Sequence, residues 1–140
     1  EIYQALLHPS AMPSTDTGAY APGEGHPQIA GSFPRYFKKM VADRYDLSLM
    51  EAIRKATLLP ADSLGLLQKG RLEEGMDADI VVFDIRSISD QATFYTPDAP
   101  PNGIDYVIVN GRLALAHGVM LDSSAGRSIR CQCPAYDYQI

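Results

Sequence analysis

The stretch "IDYVIVNGRLALAHG", residues 104–118, carries the clearest local signal in the chain. Ile104 to Val109 form a β-branched run, Asn110-Gly111 supplies a two-residue type I′ turn, and Arg112 to Ala116 form the returning strand. A hairpin here needs further strands to bury its apolar side. The candidate on its N-terminal side is "DIVVFD", residues 79–84, a β-branched run bounded by acids and preceded by Gly70 and Gly75 as punctuation. Asp77 and Asp79 are placed to satisfy turn amides, with Ile80 to Phe83 as filling for a core. On the other side a last extended piece is expected at Ser128–Ile129.

Before Gly70 the period changes from that of strands to that of helices. Ile2, Leu6 and Leu7 mark a helix that Pro9 stops, with His8 at its end. "FPRYFKKMVADRY", residues 33–45, has a stripe of Phe33, Phe37, Met40 and Val41, with Pro34 suited to the first turn. Ser48 and Glu51 form a capping box for the next helix. Leu49, Ala52, Ile53 and Ala56 are expected on its inner side, with Arg54 and Lys55 outside and Pro60 as its end. A short further turn follows in "ADSLGL", residues 61–66. Helices thus dominate the first half and short strands the second, with a division near residues 66–71.

Between the first two helices lies the stretch "SAMPSTDTGAYAPGEGHPQIAGSF", residues 10–33. Its opening is a weak strand, which Pro13 would push to an edge. It ends in Asp16, and about 15 residues of loop rich in Gly and Pro follow, with His26 inside. Loops of that length in a compact domain are usually functional or disordered. On composition alone Asp16 before Thr17-Gly18 is a turn residue, His26 and His117 are loop histidines, and Tyr3, Tyr20, Tyr36 and Tyr45 pack or line a pocket.

The 140 residues suffice for one domain with a real core, or for a piece of something larger. Glu1 opens a helix that reads as already under way, which points to residues upstream. Twelve basic against 17 acidic residues give a net charge of −5, and no dense Lys/Arg cluster suggests nucleic acid. No apolar run approaches a membrane span, and no signal peptide opens the chain. Cys131 and Cys133, the two cysteines, are separated by one residue and make a poor disulfide pair, so free thiols in a reducing cytoplasm are expected.

"GRLEEGMDADIVVFD" resembles the late segment of metal-dependent amidohydrolases. The order "STD…HP…GSFPR", then "LSLMEAIRKATLLPA" and "PNGIDYVIVNG", is similar to the C-terminal part of the N-acyl-D-amino-acid deacylase (D-aminoacylase) family, from about Ile2 to Arg130. The resemblance implies an α/β fold: residues 1–65 as the last strand, active-site loop and helices of a (β/α)₈ barrel, and 66–130 as the C-terminal share of a small β-sandwich domain. Residues 131–140 form a tail with no counterpart. It implies a zinc enzyme whose main metal ligands belong to a missing N-terminal barrel portion, so this chain alone should bind no zinc and be inactive. Asp16 falls on the acid at the end of the eighth strand, beside the metal, where it takes a proton from activated water and passes it to the leaving amine. His26 falls on a His-Pro pair that shapes the substrate loop.

Gln28 departs from the pattern: the family commonly has an arginine there to clamp the substrate's α-carboxylate, and a neutral amide cannot supply that charge. Arg35 matches the family's own arginine after Phe-Pro and is no replacement. Thr15 is a milder departure. The first expectation is therefore hydrolysis of an N-acyl amino acid. The second keeps the chemistry but takes a cyclic amide or imide, a dipeptide or an N-acylated amino sugar. The third is a non-catalytic module, freestanding and kept for binding, or completing a partner chain. A barrel strand without neighbours leaves open edges, so a stable isolated chain is expected to be an oligomer or rearranged.

Overall fold

The computed structural model describes residues 2–16, 18 and 20–129, which excludes Cys131, Cys133 and the rest of the tail. Helices come first: α1 (Ile2–Leu6), α2 (Gln28–Phe37), α3 (Leu49–Ala56) and α4 (Leu58–Ser63). Four strands follow: β1 (Ile80–Phe83), β2 (Ile104–Val109), β3 (Arg112–Ala116) and β4 (Val119–Met120).

The helical half packs around Tyr36, Met40 and Ala52, with Tyr3, Leu6, Phe37, Val41, Leu47 and Ala56 against them. Burial and, secondarily, Glu51 push the Tyr36 phenol up to about 12, and its hydroxyl donates to the Ala52 carbonyl at 3.3 Å. The expected stripes need adjusting. In α1 it is Tyr3 and Leu6 that pack, while Ile2 and Leu7 are exposed. α2 begins five residues earlier than the sequence suggests, so Pro34 is buried inside it rather than in its first turn. The small residues Ala30, Gly31 and Ser32 admit the early start. The missing N–H at Pro34 interrupts one rung of the ladder. The chain continues from α2 into a wider π turn over Lys38–Asp43, closed by the Arg44 amide on the Lys39 carbonyl at 3.1 Å.

Ser48 caps α3 as expected, its hydroxyl accepting from the Glu51 amide at 3.2 Å. Glu51 itself turns to Arg54. Pro60 does not end α3; it lies in the first turn of α4, where a missing N–H costs nothing. Lys55, expected outside, is 1 % exposed.

All four strands are antiparallel, in the order β1-β2-β3-β4. Asn110 and Gly111 have φ of 49° and 75°, the left-handed pair a type I′ turn demands. The last strand is β4, and Ser128–Ile129 pairs with nothing among the described residues. β1 does not fill a closed core here, since Val81 and Val82 are exposed. Phe37 meets Phe83 at 5.2 Å between ring centroids, so α2 and β1 touch.

Asp79 holds the hairpin turn: its carboxylate accepts from the Asn110 amide at 2.7 Å and pairs with Lys69. Burial works to raise its pKa, but the Asn110 amide and Lys69 outweigh that and leave it below the ordinary 3.8. A carboxyl depressed on folding contributes stability above its unfolded pKa and loses it as pH falls through the folded one. Exchange protection of the Asn110 amide should therefore persist down to the ordinary carboxylate range and fall off below it. Asp79→Asn should abolish that acid step, which an amide-resolved pH titration would read.

Candidate active site

Residues 11–16 leave α1 as an extended segment, and three side chains fix its path. The buried Lys55 ammonium donates to the His8 and Ala11 carbonyls at 2.5 and 3.1 Å. The Thr15 hydroxyl donates to the Gln28 carbonyl at 3.0 Å. Ser32 donates to the same carbonyl at 2.8 Å and lies 3.2 Å from the Thr15 hydroxyl. Gln28 answers with its side-chain amide, which donates to the Asp16 backbone carbonyl. The segment forms no strand among the described residues, because no neighbouring strand lies beside it to complete a ladder. Asp16 is exposed, and its contacts among the described residues run through its backbone, leaving the carboxylate free.

Beside this point lies an open cleft of about 510 Å³ lined by His26, Gln28, Ser32 and Arg35 on one side and Ala92 to Tyr95 on the other. His26 Nδ1 accepts from the Gln28 amide at 3.1 Å, and its ring meets Phe94 edge to face at 5.1 Å. The facing wall closes on α2 because Gly31 has no side chain; a Cβ there would lie 3.3 Å from Asp90 Cβ. Arg35 locks the two walls together, donating from Nε and Nη2 to Asp90 Oδ2 at 2.9 and 2.5 Å. That bond raises the guanidinium further above its ordinary pKa, against the opposing effect of burial. Asp98 adds a second tie by accepting from the Gly23 amide at 2.8 Å. The Thr93 hydroxyl accepts from the amides of Tyr95 and Thr96, closing a turn that presents Phe94 and Tyr95.

His26 and Gln28 thus share one cleft, with Asp16 at its margin through Gln28. Sequence reasoning missed the wall 92–95, for which turn-forming Thr93 and Thr96 were the available signal. It also gave no role to Ser32, Asp90 or Lys55. Tyr36, one of the candidate pocket tyrosines, is core, and Tyr20 and Tyr45 are exposed. His117 is an exposed turn residue with φ of 47°, its Nε2 2.8 Å from the Tyr106 hydroxyl.

A zinc site takes about four ligands. Among the described residues no three His, Cys, Asp or Glu side chains converge on one point. Asp16 and His26 come from one loop, and Nδ1 of His26 is already in use, so these residues do not make a zinc centre on their own. Nor is any helix among the described residues long and apolar enough to cross a membrane.

Residues 13–114 match the Amidohydrolase family. The chain belongs to that family, whose fold is of the TIM-barrel type. Within it the chain is similar to N-acyl-D-amino-acid deacylases. It is 38 % identical over 111 residues to the N-acyl-D-glutamate deacylase of Alcaligenes xylosoxydans xylosoxydans, covering 79 % of this chain and 22 % of that protein. The D-aminoacylase of the same organism is 37 % identical over 102 residues, 73 % of this chain and 21 % of that one. Among solved structures, a D-aminoacylase described as defining a novel subset of amidohydrolases matches with a TM-score of 0.69 and 36 % identity, over 73 % of this chain and 22 % of that one. The N-acyl-D-glutamate deacylase of Bordetella bronchiseptica, solved with zinc and a phosphonate that mimics the tetrahedral intermediate, matches with a TM-score of 0.63 and 35 % identity, over 67 % and 20 %. The chain spans about a fifth of the length of these relatives.

Proposed function

We propose that the chain supplies the proton-transferring acid and one wall of a metal-dependent site that hydrolyses an N-acyl bond. The reading takes residues 1–65 as the last strand, loop and helices of a barrel and 66–130 as part of a β-sandwich. The observation that carries it is Asp16: an exposed carboxylate, unpaired among the described residues, whose backbone is held by Gln28 at the edge of a cleft.

The chemistry asks one group to serve twice. Water adds to the amide carbonyl carbon and gives a proton to the Asp16 carboxylate. The carbon–nitrogen bond then breaks as Asp16 returns that proton to the leaving nitrogen, and a carboxylic acid and an amine result. A carboxylate on a held backbone with an exposed side chain can do both. His26 and Gln28 frame the substrate beside it. A zinc ion such as the one in the Bordetella relative would draw its main ligands from outside this chain, with Asp16 as a further contact.

The test is acyl release from N-acetylated D-amino acids and related amides by the complete protein carrying this chain, loaded with zinc. Turnover that disappears on chelation and returns with zinc is expected. Failure to release acid from any of these compounds would overturn the reading.

A further inference from the structure

We propose that Gln28 selects, in the cleft beside Asp16, an uncharged carboxamide-like end of the substrate over a free carboxylate; this rests on the amide-hydrolysis reading above. A backbone carbonyl only accepts, so the bond to the Asp16 carbonyl fixes which end of the Gln28 amide faces it. One N–H of Nε2 is committed there, which leaves its second N–H as a donor and Oε1 as an acceptor that Gln28 can offer a ligand. An ionised carboxylate has acceptors only. It can take the one remaining N–H, but an oxygen of it that faces Oε1 gives up water and gains no bond, whereas a carboxamide satisfies both ends.

The other charges around the cleft do not reverse this. Arg35 is the one cation among its described lining residues, and the Asp90 carboxylate, which takes two of its five donors, offsets its charge. A helix start attracts anions through its free amides. Here the Gln28 amide is committed to His26 Nδ1 at 3.1 Å and the Ile29 amide to the His26 carbonyl at 3.0 Å. Because Nδ1 accepts, the ring proton sits on Nε2, which makes His26 a donor. The residues that line the cleft therefore have an acceptor, Gln28 Oε1, and donors, the second Gln28 N–H and His26 Nε2–H, to offer a ligand, beside Ala92 and Phe94. A primary carboxamide has the matching N–H and C=O in one planar group.

The experiment compares acetate release from N-acetyl-D-phenylalaninamide and N-acetyl-D-phenylalanine by the complete, zinc-loaded protein. The wild type should favour the carboxamide by about tenfold or more in kcat/KM. Gln28→Arg should turn the preference toward the acid, and Gln28→Met, which removes Oε1 at similar volume, should bring the two together. A wild type that prefers the free acid, or a Gln28→Met variant with the preference intact, would overturn the selection by Gln28 while leaving amide hydrolysis standing. Release from neither compound would overturn both.

Discussion

Asp16→Asn lowers kcat of the complete protein by about a hundred- to ten-thousandfold, the range that a positioned acid–base group contributes. The substitution is nearly isosteric and replaces a group that can hold and return a proton with one that cannot. The backbone carbonyl at this position still accepts from Gln28, so the geometry of the segment is retained. Because the side chain is exposed, stability should change by no more than about 0.5 kcal/mol. Loss of turnover with an unchanged melting midpoint separates a chemical role from a structural one. A variant with undiminished kcat would remove Asp16 from the mechanism.

Lys55→Ala should be the most damaging change to the fold. Its ammonium is the donor that satisfies the carbonyls of His8 and Ala11, 47 and 44 residues away in sequence. Truncation strands the Ala11 carbonyl, at about 1–3 kcal/mol for a buried group left unsatisfied, leaves the His8 carbonyl with only the Ala11 amide at 3.0 Å, and opens a void where a long aliphatic stem was. A loss of about 3–4 kcal/mol is expected, read as a lower urea midpoint. The damage should reach the site, because Ala11 begins the segment that ends at Asp16. Lys55→Arg, which keeps a cationic donor, should recover part of the loss, whereas Lys55→Met should recover packing alone. An alanine variant as stable as the wild type would mean that other groups hold this segment.

Much of the local structure was legible because it is set by neighbours in sequence. The Asn110-Gly111 turn needs only two residues that tolerate positive φ, and the Ser48 cap needs a hydroxyl near the Glu51 amide. What was not legible depends on distant partners. Lys55 looked solvent-facing because helical spacing put it beside Arg54, and nothing local reveals that two carbonyls from α1 and its exit wait there. Pro34 looked like a helix start because its cost is paid inside a helix, yet the small residues before it let α2 begin at Gln28. Arg35 and Asp90 are 55 residues apart, so neither could announce the clamp that closes the cleft.

The candidate site divides in the same way. The segment around Asp16, His26 and Gln28 stands out as a run of unusual residue types in a long loop. The opposite wall, Ala92 to Tyr95, reads in sequence as an ordinary turn. Only its approach to α2 across Gly31 makes it part of a site. The direction of the Gln28 amide, on which the proposed preference rests, likewise comes from the carbonyl it meets.

The most direct test of the account sets this 140-residue chain beside the complete protein in a zinc titration with simultaneous assay of acyl release. The account predicts stoichiometric zinc and turnover in the complete protein, and neither in the separate chain, because Asp16 moves protons but does not assemble the metal centre. A separate chain that binds one zinc tightly and hydrolyses N-acyl amino acids at the rate of the complete protein would contradict it.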